Sequence, residues 1–167
     1  MTITEKPNID TSLISILESV SDPEIPVLSV LDLGVIREAK EVDGVIQIKL
    51  TPTYSGCPAM DVISEDLEKA FSEVGKTTMV ELVLAPAWST DWISEAGKQK
   101  MEAYGIASPL EETADKEALL GNKRIVKCTN CGSTNTHLVS QFGSTACKAL
   151  FKCDDCLEPF DYFKCLK

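Results

Sequence analysis

Apolar residues recur at helical spacing over residues 10–20, where Leu13, Ile14, Leu17 and Val20 share one face. Asp10 stands where a cap would, and Ile9 before it could staple the entry. The run SDPEIP at 21–26 ends this helix, because each proline drives its predecessor away from the α region. Two apolar runs, 35–42 and 45–50, then flank Asp43-Gly44, the pair favoured in a two-residue hairpin turn. In the second run Ile46, Ile48 and Leu50 alternate with Val45, Gln47 and Lys49, the period of a half-buried strand. A loop at 51–56 leads through Cys57-Pro58 to a helix over 59–74. Ile63, Leu67, Ala70, Phe71 and Val74 form its apolar face, and Gly75 ends it as a C′ residue. Residues 77–84 read as a third strand and 90–104 as a closing helix stopped by Gly105. The order α–β–β–α–β–α predicts an α+β fold, a small α/β sandwich with a short mixed sheet, and leaves strand order open.

The remaining residues read differently. Residues 107–122 form a polar, helix-compatible linker (LEETADKEALLG), and a compact module begins at Lys123. Six of the seven cysteines fall in that module: Cys128, Cys131, Cys147, Cys153, Cys156 and Cys165. Charge changes at the same boundary. Residues 1–121 carry nine basic and 22 acidic side chains, whereas residues 122–167 carry seven and four. The formal net charge of −10 over 167 residues therefore belongs to the first part, and it argues against a nucleic-acid-binding face. No apolar run is long enough for a membrane span, and the first charges are followed by no apolar core of a secretory signal. The expected compartment is the reducing cytoplasm, where cysteine clusters bind metal more often than they form disulfides.

The tail has the spacing of a metal site. Cys128-Thr-Asn-Cys131 and Cys153-Asp-Asp-Cys156 are two CxxC pairs, each offering two sulfurs at one corner, with a hairpin between them to bring the corners together. Gly132 follows the first pair, where a knuckle needs positive φ. Residues 136–142 and 149–152 are the ribbon strands. Zinc is the usual occupant of such a four-cysteine ribbon, and iron accepts the same tetrahedral sulfur set. Four protein ligands leave no open position, so the metal is structural. A module of about 45 residues needs it, since its core is too small. His137, the only histidine, falls in a ribbon strand at no ligand spacing, which speaks against Cys–His or Ser–His–Asp catalysis. No residue is therefore assigned a catalytic role. Cys147 and Cys165 read as small buried apolar residues, with a second labile metal or redox pair as the alternative.

Cys57 stands apart. With Pro58 at N1, Cys57 would occupy the N-cap, where free N–H groups and the helix dipole stabilise a thiolate. A half-buried capping cysteine with no chemistry is equally consistent. By spacing alone, Asp22 and Glu24 read as turn formers.

Three stretches together are recognisable. DPEIP, then SVLDLGV at 29–35, then TPTYSGCP at 51–58, resemble the iron–sulfur cluster assembly and targeting domain family, whose motif T-x-T-x-x-G-C-P this chain matches. The tail GSTACKALFKCDDCLEPFDYFKC, with WSTDWISE upstream, narrows the resemblance to the phenylacetate-degradation protein D family. The resemblance covers nearly the whole chain. It implies an α/β domain (1–106) joined by the linker (107–122) to a four-cysteine zinc ribbon (123–167). It places a reactive, cluster-transferring thiol on Cys57, holding a transient iron–sulfur cluster or iron, with an acidic loop at Asp22 and Glu24. It implies an accessory protein of the multicomponent phenylacetyl-CoA epoxidase that assists maturation of an iron–sulfur or di-iron centre and is not itself an enzyme. The expected partners are the epoxidase oxygenase and reductase components and the iron–sulfur assembly machinery, with a homodimer left open. A purely scaffolding component is the alternative, and a thiol-transfer enzyme a weaker third.

Overall fold

The computed structural model describes residues 6–110, 112–121 and 125–164. The chain divides into two compact units. The first holds the residues up to Trp88 together with Trp92–Ser94; the second holds Ser89–Asp91 and the residues from Glu95 onward.

In the first unit the elements run β1 (Asn8–Ile9), α1 (Ile14–Ser19), β2 (Ile36–Val42), β3 (Val45–Leu50), α2 (Ala59–Glu73) and β4 (Thr77–Leu82). The four strands form one mixed sheet in chain order. β1 and β2 are parallel, β2 and β3 antiparallel, β3 and β4 parallel. The parallel β3–β4 pair needs a crossover, and α2 supplies it. The hairpin turn forms as expected: Asp43 (φ 51°) and Gly44 (φ 80°) both adopt the left-handed conformation of a type I′ turn. β3 alternates as its sequence demands, with Ile46, Ile48 and Leu50 buried. α2 buries Ile63, Leu67 and Phe71 completely, each burial contributing about 1.5–3 kcal/mol. It ends in a Schellman motif, in which the Gly75 and Lys76 N–H groups donate to the Ser72 and Phe71 carbonyls at 2.9 and 3.0 Å.

Three local expectations change. Ile9 is not a staple, because it lies in β1, two residues too short to show a period. Asp10 does not cap α1; its carboxylate accepts the Glu41 N–H at 3.2 Å, and the first turn, Thr11–Leu13, is 3-10. The helix expected at 90–104 is broken. A 3-10 turn at Thr90–Trp92 precedes α3 (Glu95–Tyr104), because Ser94 is tied through its N–H and hydroxyl to the Asp32 carbonyl and carboxylate at 2.9 Å each.

The second unit contains α3, β5 (Ile106–Ala107), α4 (Glu112–Leu119), β6 (Thr136–Ser140), β7 (Lys148–Cys153) and β8 (Pro159–Phe163). Its sheet order is β5-β8-β7-β6. The ribbon strands expected at 136–142 and 149–152 are β6 and β7, and β8 adds a third antiparallel partner. In its core Phe151 stacks on Phe160 and meets Tyr162 edge to face, with ring centroids 6.0 and 5.4 Å apart. The stretch read as a spacer supplies part of this core: Ala107 and Ala118 are buried in it, and the Leu110 N–H donates to the Tyr162 hydroxyl at 3.1 Å. Among the described residues no helix is long and apolar enough to cross a membrane.

Candidate metal centre and the Cys57 loop

The end of β7 and two tight turns bring Cys128, Cys131, Cys153 and Cys156 together, with all four sulfurs within 4.8 Å of one another. Cys128–Cys156 and Cys131–Cys153 are each 3.6 Å apart. These are not disulfide distances, which are about 2.05 Å. A tetrahedron with metal–sulfur bonds of about 2.3 Å has edges of about 3.8 Å, so the quartet fits a zinc-sized ion. The two knuckles are alike. After Cys131, Gly132 has φ 75° and donates to the Cys128 carbonyl at 2.9 Å; after Cys156, Leu157 takes the same conformation at φ 66°. Having a Cβ, Leu157 bears a cost there of about 1–2 kcal/mol that Gly132 does not.

Backbone and amide donors prepare these sulfurs for negative charge. The Asn130 N–H approaches Cys128 Sγ at 3.4 Å, its side-chain amide Cys156 Sγ at 3.6 Å, and the Cys156 N–H Cys153 Sγ at 3.5 Å. The Glu158 N–H, and then the Asn130 amide, bring Cys156 down to about 6. At Cys131 the Ser133 N–H also acts downward, yet desolvation and hydrogen bonds with Cys156, Cys153 and Cys128 push it up to about 12. Protons are thus shared unequally across the set, and metal binding releases them.

His137 stands outside the quartet, its Nδ1 2.9 Å from an Asp154 carboxylate oxygen. Cys147 is buried, with its sulfur 3.1 Å from the Thr145 hydroxyl. Cys165 lies outside the described residues.

Cys57 sits in the first unit, on the loop that leaves β3. Its N–H donates to the Tyr54 carbonyl at 3.1 Å and its own carbonyl accepts the Met60 N–H at 3.4 Å. α2 begins at Ala59 with Pro58 as N-cap, so Cys57 is one residue outside the expected cap position. The thiol is half-buried, and burial is the main reason its pKa is raised. The Ala59 N–H and the Thr53 hydroxyl act downward, while Glu24 and Asp22 act upward through their charge. The expectation of a stabilised free thiolate is therefore corrected: desolvation and two carboxylates outweigh the helix start. The structure does bring Cys57, Asp22 and Glu24 into one electrostatic neighbourhood. Asp22 is held there as the acceptor of an Asx turn, taking the Glu24 and Ile25 N–H groups at 2.7 and 2.9 Å.

Sequence reading passed over the supports of this loop. Thr51 is buried and its N–H donates to the Val35 carbonyl at 2.8 Å. The Trp88 indole donates to the Leu33 carbonyl at 3.0 Å. Gly34 lies so close to Trp92 that a Cβ there would stand 2.3 Å from the Trp92 carbonyl oxygen. Thr51, Leu33 and Gly34 belong to the quoted motifs, which was the available signal.

Fold and sulfur geometry define a class of protein: a small α/β unit with a mixed four-stranded sheet, followed by a four-cysteine β-ribbon. Family models agree, with "Iron-sulfur cluster assembly protein" matching residues 11–82 and "PaaD zinc beta ribbon domain" matching residues 112–164. An Escherichia coli (strain K12) protein, named as the D subunit of a "Putative 1,2-phenylacetyl-CoA epoxidase", is 44% identical over 153 residues, 91% of this chain and 90% of that one. The chain belongs to the phenylacetate-degradation protein D family. A Porphyromonas gingivalis "Fe-S protein maturation auxiliary factor" is 36% identical over 89 residues, covering 52% of this chain and 84% of its own. Among solved structures, a "Domain of Unknown Function DUF59" from Bacillus anthracis superposes with a TM-score of 0.50 at 28% identity, covering 54% of this chain and 88% of that one.

Proposed function

We propose that this protein is a non-catalytic accessory factor of a phenylacetyl-CoA epoxidase, acting in the cytoplasm to help mature or insert the iron–sulfur or di-iron centre of an epoxidase component. The observation that carries this reading is the half-buried Cys57 thiol within the field of Asp22 and Glu24. The kinship with an epoxidase component and with iron–sulfur maturation factors supports it. The two carboxylates disfavour a bare thiolate, and the same negative field favours an iron cation. Iron is here the cargo: on coordination Cys57 gives up its proton and becomes the thiolate ligand. A thiol that returns to its protonated form once the metal leaves suits transfer better than storage.

In the same reading the second unit is held together by zinc on Cys128, Cys131, Cys153 and Cys156. Bound zinc supplies a cross-link between the two knuckles and has no open position for substrate. The oxygenase and reductase components and the iron–sulfur assembly machinery are the partners.

The test is Cys57→Ala in cells that co-produce the epoxidase components, with iron and sulfide measured on the purified reductase and oxygenase. A several-fold fall in cluster or iron occupancy is expected. Full occupancy with an intact complex overturns the maturation role and leaves a scaffolding role in its place.

A further inference from the structure

β4 is an edge strand of six residues, and its pairing with β3 runs through six consecutive registers, Val45↔Thr77 to Leu50↔Leu82, without a bulge. Natural edges are usually blunted by lysine, proline, a bulge or a covering element. TTMVEL has neither lysine nor proline, its one charge is the exposed Glu81, and the apolar side chains along and just beyond it are open: Met79 is 61%, Leu82 50% and Leu84 65% exposed. The opposite edge of the sheet is partly covered by β1.

The backbone shows which groups are unused. Val83 donates to the Leu50 carbonyl at 2.9 Å, so odd-numbered residues turn their N–H and C=O toward β3. Thr78, Val80 and Leu82 therefore turn theirs outward, to the side where the sheet has no further strand among the described residues. The end of β4 at Leu82 lies beside the end of β3 at Leu50, from which the Cys57 loop departs. Charge selects among occupants. α2, which crosses over to β4, exposes Asp61, Glu65, Asp66, Glu68 and Glu73 against Lys69 alone. A second copy would set two such helices near each other, whereas a basic segment would find them attractive.

We propose that the outer edge of β4 is a docking site for an extended, apolar, lysine- or arginine-bearing segment of a client protein, added as a further strand beside the Cys57 loop. This rests on the accessory reading above and deepens it by naming how a client is held. Backbone hydrogen bonds supply affinity, and alternate side chains meet Met79 on one face and Leu82 on the other.

The probe is a short capped peptide alternating valine with lysine and threonine, titrated onto the full chain while amide exchange is followed residue by residue. Protection is expected at Thr78, Val80 and Leu82, with little change at Thr77, Met79 and Glu81. N-methylating the peptide on its bonding edge should weaken binding about tenfold or more. Val80→Pro removes one outward donor while keeping the side that bonds β3, and Leu82→Lys adds repulsion; each should weaken binding, with tryptophan fluorescence showing the fold retained. Cys57→Ala should leave peptide binding unchanged, so loss of the thiol's role and loss of the docking edge are read separately. No protection at millimolar peptide, protection elsewhere, or a concentration-dependent dimer sealed through β4 would each overturn the proposal.

Discussion

Replacing Cys153 with serine should unfold the second unit and leave the first one standing. Cys153 is fully buried, 3.6 Å from Cys131 Sγ, and accepts the Cys156 N–H. Structural zinc on four thiolates contributes about 10–16 kcal/mol at neutral pH, so one ligand represents roughly 3 kcal/mol. A serine hydroxyl left buried without a good partner adds about 1–3 kcal/mol of penalty. The loss of about 4–6 kcal/mol comes out of the metal's share, and with the four-sulfur set broken the unit falls back on a core that supplies only about 3–5 kcal/mol. Both tryptophans, Trp88 and Trp92, lie in the first unit, which makes the assay clean. Their fluorescence should stay native while the amide dispersion of residues 126–163 collapses and zinc falls from one per chain to a trace. A Cys153→Ser protein that keeps one zinc per chain and a folded ribbon would refute the metal assignment and the energetic reasoning together.

Gly34→Ala should destabilise the first unit by about 3–4 kcal/mol and lower its melting temperature by roughly 10 °C or more, because φ is +70° and the new Cβ meets the Trp92 backbone carbonyl. Gly44→Ala, with φ +80° and open space around it, should lose only about 1–2 kcal/mol in the same melt. Cys57 should react with iodoacetamide more slowly than a free cysteine at neutral pH, and Glu24→Gln should speed it; a rate above that of the free thiol would contradict the raised pKa. Because the folded thiol holds its proton to higher pH than the unfolded one, this group's contribution to stability is present below the ordinary thiol pKa and is lost as pH rises through the folded one.

What was legible depended on whether the signal was local. The β2–β3 hairpin rests on Asp43-Gly44 and α2 on a three-turn apolar stripe ended by Gly75, so both followed from residues adjacent in the chain. β1 and β5 did not, since two residues carry no period and exist as strands only through pairing with Glu38–Ala39 and Asp161–Tyr162. β8 was hidden because PFDYF follows a knuckle and its alternation is filled by aromatics on both faces. The metal quartet was legible because CxxC fixes two sulfurs per turn. The acidic loop beside Cys57 was legible only through the family resemblance, since Asp22 and Glu24 lie more than thirty residues away, and the burial that raises the thiol had no local signal.

The two sulfur sites differ in how many sulfurs and donors share the charge, and this bears on their division of labour. In the ribbon, Asn130, Ser133, Cys156 and Glu158 aim N–H groups at sulfur; Cys156 is brought down to about 6 while its neighbours push Cys131 up to about 12, so the set shares its protons until an ion takes their place. Four such sulfurs close around a cation, and opening the site means breaking the fold. At Cys57 a single thiol meets desolvation and two carboxylates, offset by one backbone donor and one hydroxyl. In the proposed reading a cation there favours the thiolate that burial and the carboxylates oppose, and a second contributor would strengthen its hold. An exposed β4 edge ending beside that loop would bring such a contributor on the client's own segment. Affinity for the metal would then depend on the client being docked, which is the coupling a delivery factor needs and a storage site does not.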